Sequence, residues 1–591
     1  MSRSGHGHSS ARVAASKGVS FSQSPVLAVR MPMWRSRVVV FVLFVAFAAL
    51  AGKALWLQAV TTQFLQKQGE SRYAFTIELP ATRGKIMDRN GQVLASSMPV
   101  KGIAAFPDIM RAEPADKLEE LAKLLEMKSA DLQHKIAGDR HIYLKHQVEQ
   151  DVVDQIAKLN VGGIDIIKEY KRYYPEGPVT THVVGFTNID DIGQESMELA
   201  QQKALVGATG SRRVIKDRLG HIVEDIKAVK EPHDGRDLTL SIDSKIQYIA
   251  FTKLRDAVEK YNAKAGGAVV LDVHTGEVLA LANWPAYNPN DRRVLTGDQL
   301  RNRVLTDTFE PGSTLKPLTA ALALDTNRVT PSTMYQTSPG AMQIGDRIIH
   351  DSHSHGVMSV SEIIQKSSNI GMAKIALPMP AKEMWEMFTK AGLGQQPKFG
   401  FPGAVAGRVR PYKSWRPIEQ ANMAFGQGIS VSLIQLARSY LIFARNGDLI
   451  PLSFQKLAEP PVGQQVISER TARQMREILE TVVSPAGTAP KAQVAGYRAG
   501  GKTGTAQKLV NGHYSQTKFV SSFVGIVPMS APRFVIAIMI DEPATAMHVG
   551  GDVAAPTFSE VAANALRAAN VAPDSSVTNI VIPENPIEEN L

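Results

Sequence analysis

Apolar positions gather first in one uninterrupted block, "VVVFVLFVAFAALAG", Val38 to Gly52, which carries no charge. The run resumes after Lys53 as "ALWLQAV", so residues 38–60 give 23 positions, enough to span a bilayer if Lys53 snorkels toward an interface beside Trp56. The alternative is a cleaved signal peptide, with Ala49 and Ala51 as small residues near a cut site, but the apolar stretch continues past Ala51. Beyond the span, residues 61–231 mix short strand-like runs with amphipathic helices such as "DKLEELAKLLEM". Within "RGKIMDRNG", residues 83–91, Asn90-Gly91 predicts a turn between two apolar runs. The charged stretch "VKEPHDGRD", 229–237, marks a boundary.

The rest, to about residue 571, alternates strand and helix signals. "LTLSID" predicts a strand, "SKIQYIAFTKLRDAVEKY" a helix with an apolar stripe, and "GGAVVLDVHTGEVLALAN" two strands joined at His274-Thr275-Gly276. Near the end, "SSFVGIVP" and "RFVIAIMID" predict two more strands, followed by a helix from about Pro556 to Ala569. Strands at both ends with many helices between them predict an α/β (α+β) domain around an antiparallel sheet. Residues 572–591, rich in Pro, Asn and Glu, are expected to form a flexible tail, and the first thirty residues to be disordered.

Composition narrows the function. The 591 residues have room for about two to four domains and at least one large core. No cysteine is present, which removes disulfides, thiolate metal sites and cysteine catalysis. The net charge of +10 suggests nucleic acid until its position is considered. Residues 1–60 hold Arg3, Arg12, Lys17, Arg30, Arg35, Arg37 and Lys53 and no acid; without these seven, 59 basic residues face 56 acidic ones. The excess is therefore an N-terminal arm beside the apolar span. It predicts a cytoplasmic N-terminus with the remainder exported, and no nucleic-acid partner.

Candidate chemistry begins at "FEPGSTLKPLTAALAL", 309–324, where Ser313 and Lys316 stand three apart at the start of an apolar run. Ser313 could be a helix cap or a nucleophile, since residues three apart share a helix face. About two S-x-x-K matches are expected by chance in a chain this long, and Ser453/Lys456 and Ser515/Lys518 also fit the pattern. A serine nucleophile needs a base, and a lysine can be that base only when neutral, which a second cation, desolvation and a helix N-terminus all favour. Downstream, "QKSSNIG" supplies Ser367-x-Asn369, and "AGGKTGTAQK" supplies Lys502-Thr503-Gly504-Thr505. Alone, the first is a helix cap and the second a strand or turn. In this order the three are the set known in β-lactamases and penicillin-binding proteins, and Ser313 is the serine with ordered partners.

From the apolar span to about residue 570 the chain resembles the class B penicillin-binding proteins, in particular their division-specific D,D-transpeptidases. The resemblance rests on "RGKIMDRNG", "RYYPEGPVTTHVVGFTN", "VIKDRLGHIVED", "FEPGSTLKP", "LQKSSNIG", "FGQGISVSLIQLA" and "KTGTAQK". It implies a cytoplasmic basic arm (1–37), a transmembrane helix (38–60), a pedestal of the dimerisation type (61–231), a transpeptidase domain with a five-stranded antiparallel sheet flanked by helices (232–571), and the tail. It also implies that a peptidoglycan stem peptide ending in D-Ala-D-Ala acylates Ser313, with D-alanine leaving and an amine of a neighbouring strand then forming the cross-link. Lys316 would be the base, Ser367 and Lys502 would shuttle protons, and Asn369 would hold the substrate amide. The Ser313 and Thr505 backbone N–H groups would form the oxyanion hole, and the Thr503 and Thr505 hydroxyls, at the close-approach Gly504, would hold the carboxylate. β-Lactams would trap Ser313. The resemblance further implies an inner-membrane, septal location with a periplasmic catalytic domain, a polytopic glycan polymerase and other division proteins as partners, and no cofactor.

Other readings of the same residues are a β-lactamase, a bifunctional glycosyltransferase, an elongation-type transpeptidase, and a non-enzymatic β-lactam sensor or division scaffold. The first would need a water-activating device. The second would need an acidic motif set within 61–231, and none is present. His350, His353 and His355 in "HDSHSHG" resemble a metal cluster, but their loop composition and a metal-free mechanism favour a surface loop with no metal.

Overall fold

The computed structural model describes residues 32–59, 74–138, 140–216, 222–578 and 580–583. The expectations for residues 1–30, for the middle of "VIKDRLGHIVED" and for the end of the tail lie outside these. Two compact units divide the chain. The first, Met1–Ile77 with Arg213–Lys227, includes a helix, Met33–Ala59, of 27 residues. Its most apolar window has a mean hydropathy of 2.5, and none of that window is buried. At 1.5 Å per residue the helix is roughly 40 Å long, more than the hydrocarbon core of a bilayer. Among the described residues it is the one helix long and apolar enough to cross a membrane.

The second unit, Glu78–Arg212 with Ala228–Leu591, is built on two sheets. In its N-terminal part the long strand Val93–Ala105 pairs antiparallel with Ile142–Val148 and with Ile164–Tyr173. Helices Ala115–Leu124, Ser129–Ile136 and Gln150–Leu159 accompany this sheet, and Leu121, Leu132, Leu144, Val153 and Ile156 close a separate small core. The "RGKIMDRNG" segment joins this part to the rest. Arg83 and Arg172 clamp the fully buried Glu198, with Nε to carboxylate distances of 2.6 and 2.7 Å, so both carboxylate oxygens are paired. At the expected turn, Asp88 Oδ1 accepts from the Asn90 and Gln92 N–H groups at 2.8 Å, and Gly91 takes φ +88°. Asp88 Oδ2 accepts from Ser244 N–H at 3.1 Å. Ile86–Met87 pairs in parallel with Leu238–Thr239. Only these two residues of "LTLSID" are in a strand, because Asp243 already caps the next helix by accepting from Lys245 and Ile246 N–H.

That helix, α1 (Ser244–Lys260), opens the C-terminal part. Strands β1 (Ala265–Asp272), β2 (Val278–Trp284), β3 (Gly500–Val510), β4 (His513–Val527) and β5 (Phe534–Asp541) form one sheet in the order β2-β1-β5-β4-β3, antiparallel throughout. Strands from both ends of the domain thus meet at the β1–β5 pair, as the sequence pattern predicts. Between β2 and β3 lie α2 (Lys316–Asp325), α3 (Asn369–Ala376), α4 (Pro417–Ala424) and α5 (Leu433–Ala444), and α6 (Gly550–Ala568) follows β5. Helices α1 and α6 pack together against the sheet, and α5 also packs on it, against β5 and β1. Every residue of β1 is buried, which is why the strand reads as a continuous apolar run without alternation. The last helix begins at Gly550, six residues before the expected start, and contains Pro556.

Candidate active site

The nucleophile candidate stands on a turn held from three directions. Pro311-Gly312 leads into a single 3₁₀ turn, Gly312–Leu315, and then into α2. Neither the turn nor α2 has a side-chain cap, so Ser313 does not do the work of a capping serine. Thr314 Oγ1 donates to Pro311 O at 2.6 Å, Tyr440 of α5 donates its hydroxyl to Thr314 O at 2.7 Å, and Thr319 Oγ1 donates to Ala424 O at 3.0 Å. Gly426, at φ +87°, lies so close that a Cβ there would sit 2.2 Å from Gly312 O. This gives "FGQG" a physical role: it is the bed on which the serine turn rests. Ser313 is 5 % exposed and opens into a cleft of about 80 Å³ that Asn369, Phe425, Gln427, Thr505 and Tyr514 also line.

Lys316, one turn later, is fully buried. Its Nζ donates to the Ser367 carbonyl and, at 3.0 Å, to Ser367 Oγ. Ser367 can offer both groups because it sits in the left-handed region at φ +63°, an uncommon conformation for a residue with a side chain. The cap of α3 is the neighbouring Ser368, whose Oγ accepts from Gly371 N–H at 2.9 Å. S-x-N therefore holds both a cap and a site, on adjacent serines. Asp351 secures this junction: Oδ1 accepts from Asn369 and Ile370 N–H at 2.6 and 3.0 Å, and Oδ2 accepts from Ser368 Oγ at 2.5 Å. A carboxylate at a helix N-terminus is also favoured by the helix dipole. Asn369 Nδ2 donates to His350 O at 3.1 Å, so the contribution of His350 is its carbonyl. The His353 and His355 rings stand 6.3 Å apart, and among the described residues no group of three His, Asp or Glu could hold a metal ion.

K-T-G lies on β3, the edge strand of the sheet, as expected. Lys502 is buried, and its Nζ donates to Thr503 Oγ1 at 3.0 Å and to Thr503 O at 3.3 Å. Thr503 Oγ1 is also 3.2 Å from Thr488 Oγ1. Thr505 Oγ1 accepts from the N–H of Gly550, the first residue of α6, at 2.9 Å. Gly504 makes a close approach within the protein. A Cβ there would meet Ser522 Oγ at 2.7 Å and Pro311 O at 2.8 Å, so its bareness lets β3 close against the serine turn itself.

The competing serines are spoken for. Ser453 Oγ donates to Gln455 O, and Lys456 reaches Arg89 O; Ser515 Oγ accepts from Thr517 and Lys518 N–H, and Lys518 pairs with Glu542. Besides Asp351, the pattern of the sequence does not reveal Glu310 and Tyr514. The Tyr514 hydroxyl donates to Glu310 at 3.1 Å beside the Ser313 cleft, and Gly428 N–H donates to the same carboxylate at 2.9 Å. Burial raises the Glu310 carboxyl above its ordinary range, and burial with the nearby carboxylate pushes Tyr514 up to about 12.

A family profile described as the penicillin binding protein transpeptidase domain matches residues 266–563, and one described as the penicillin-binding protein dimerisation domain matches 78–240. The chain is 41 % identical over 558 residues to the probable peptidoglycan D,D-transpeptidase PenA of Neisseria gonorrhoeae, covering 93 % of this chain and 96 % of that one. It is 37 % identical over 553 residues to the peptidoglycan D,D-transpeptidase FtsI of Escherichia coli K12, covering 92 % and 93 %. A solved transpeptidase domain of Burkholderia pseudomallei penicillin-binding protein 3 is 53 % identical, with a TM-score of 0.53, over 57 % of this chain and 97 % of that one. An antiparallel sheet with a K-T-G edge strand, closed against a serine turn whose lysine is buried, defines a penicillin-interacting serine domain. With a dimerisation-type domain before it, the chain belongs to the class B penicillin-binding proteins.

If Asp351 sets the position of Ser368 and Asn369, Asp351→Ala should slow acylation by penicillin about tenfold or more, the loss expected when charge-assisted hydrogen bonds are removed. Stopped-flow labelling of the folded variant checks this; a rate within twofold of wild type would show that the loop is incidental.

Proposed function

We propose that this chain, a peptidoglycan D,D-transpeptidase, works through a Ser313 acyl-enzyme at the division septum. The observation that carries this reading is the buried Lys316 amine, bonded to Ser367 one turn after a serine that opens into a cleft shared with Asn369 and Thr505. Ser313 Oγ attacks the carbonyl carbon of the penultimate D-alanine while neutral Lys316 takes its proton; burial disfavours a charged amine there. The oxyanion is received by the Ser313 and Thr505 N–H groups. Asn369 holds the substrate amide, and Ser367 with Lys502 returns a proton to the departing D-alanine nitrogen. The Thr505 hydroxyl, held by Gly550 N–H, and the Thr503 hydroxyl, bonded by Lys502, receive the substrate carboxylate. The positive end of α6 favours that carboxylate. Gly504 keeps the two threonines against the serine turn. β-Lactams acylate the same serine.

The division into a cytoplasmic arm (1–37), span (38–60), pedestal (61–231), transpeptidase domain (232–571) and tail (572–591) belongs to the same reading. So do the single-pass inner-membrane topology, the periplasmic site and the partnership with a polytopic glycan polymerase and other division proteins. A single span does not by itself aim an active site, so positioning comes from partner contacts along the span and pedestal.

Labelling with a fluorescent penicillin and mass mapping should place the adduct on Ser313, and Ser313→Ala should be folded and unlabelled; an adduct on Ser453 or Ser515 would overturn the assignment. A chain beginning at residue 61, exported without an anchor, should still bind penicillin yet fail to restore division in depleted cells. Full rescue would contradict the role given to the anchor and its partners.

A further inference from the structure

Transpeptidation needs two peptides at one serine, and the Ser313 cleft of about 80 Å³ holds little more than the reacting groups. It is flanked by two larger grooves. One, of about 400 Å³, shares Glu310, Ala506 and Gln507 with the cleft and continues along β3 through Lys508 and Leu509. The other, of about 410 Å³, shares Asn369, Phe425 and Gln427. It lies between the hairpin formed by Ala341–Ile344 and Arg347–His350 and the start of α4. Both are large enough for a small ligand.

We propose that the second groove is the acceptor site, which takes a peptide bearing a primary amine and carboxylates and reads the carboxylates with Arg416 and Arg347. This rests on the acyl-enzyme reading of Ser313. A donor whose carboxylate is held at Thr503 and Thr505 and whose carbonyl lies at the Thr505 N–H runs its remaining chain along β3, into the first groove. The incoming amine therefore enters from the side that β3 does not line. The walls there suit such a peptide. The Arg416 side chain is 76 % exposed and only 3.5 Å from Glu419, a carboxylate that already accepts from Arg416 N–H at 2.8 Å and pairs with Arg410 at 3.2 Å. The Arg347 side chain, 75 % exposed, stands 3.9 Å from Asp346. Both guanidinium groups retain donors for a carboxylate, which arginine can bind through paired N–H groups. At the inner end Asn369 and Gln427 line both the groove and the cleft, and Asn369 is tied to the hairpin through His350 O. The amine nitrogen attacks the ester carbonyl carbon and the carbon–Oγ bond breaks. One amine proton passes through Lys316 to Ser313 Oγ, leaving a new amide and a free serine.

The test uses the full chain in detergent, a thioester of an N-acylated D-alanine as donor, and a synthetic tripeptide carrying a side-chain amine as acceptor. The acceptor is supplied with free carboxylates or as its carboxamide. Wild type should favour the carboxylate form. Arg416→Ala and Arg347→Ala should lower transfer to that form about tenfold, the loss expected for a charge-assisted hydrogen bond. They should change transfer to the carboxamide little and leave donor kcat/KM within twofold. An unchanged carboxylate preference in both variants would overturn the proposal, and so would its loss in Arg408→Ala, in the other groove, instead. Absence of any acyl-enzyme in wild type would refute the Ser313 reading itself, a result distinct from a failed acceptor site.

Discussion

A lysine amine with no solvent exposure must be satisfied inside the protein, because an unpartnered buried amine costs several kcal/mol whether it is charged or merely polar. Lys316 meets this requirement through Ser367, and much of the site follows from that one link. Ser367 presents both carbonyl and hydroxyl while in a left-handed conformation, at a junction where α3 begins immediately afterwards and Asp351 holds its first turn. The helix that follows the Ser313 turn and begins at Lys316 is thereby fixed to the start of the helix that carries Asn369 before any substrate arrives. That is the preorganisation acyl transfer needs, since donors placed in advance spend nothing on rearrangement when charge develops.

The sheet completes the site by approaching it closely. Strand β3 touches the serine turn only because Gly504 has no side chain to strike Pro311 O and Ser522 Oγ, and the turn rests on Gly426 for the same reason. The N-terminal part of this unit is joined to the sheet by a different device. Glu198 is buried between Arg83 and Arg172, and the Asp88 turn bonds to the start of α1. A buried ion pair contributes little net stability, but removing one partner strands the other, so the triad fixes an arrangement more than it strengthens it.

Much of this was legible in the residues. Strands β1, β2 and β5 and the part of β4 from Phe519 onward are almost wholly buried and stand out as apolar runs, and the apolar helix stands out for the opposite reason, since none of its most apolar window is buried. The serine turn, S-x-N and K-T-G were visible because each carries local chemistry at short spacing. Asp351 was not, as it lies 18 residues from Asn369 in a loop whose histidines suggest a metal. The Glu310–Tyr514 bond spans 204 residues and leaves no local trace. The start of α6 was missed because Gly550, Gly551 and Pro556 argue against a helix, and packing on the sheet overrides that preference. What the residues did not reveal at Gly504 is a close approach within the protein itself, with Ser522 Oγ, Pro311 O and Thr314 Cγ2 all lying where a Cβ would stand.

The central claim is that Lys316, held by Ser367, acts as a base in its neutral form. The direct measurement is the rate of Ser313 acylation by penicillin in Lys316→Arg, with folding confirmed by circular dichroism. A guanidinium stays protonated and cannot take the serine proton, so the account predicts a folded variant with almost no acylation. Acylation at the wild-type rate would contradict it and would remove lysine from the chemistry.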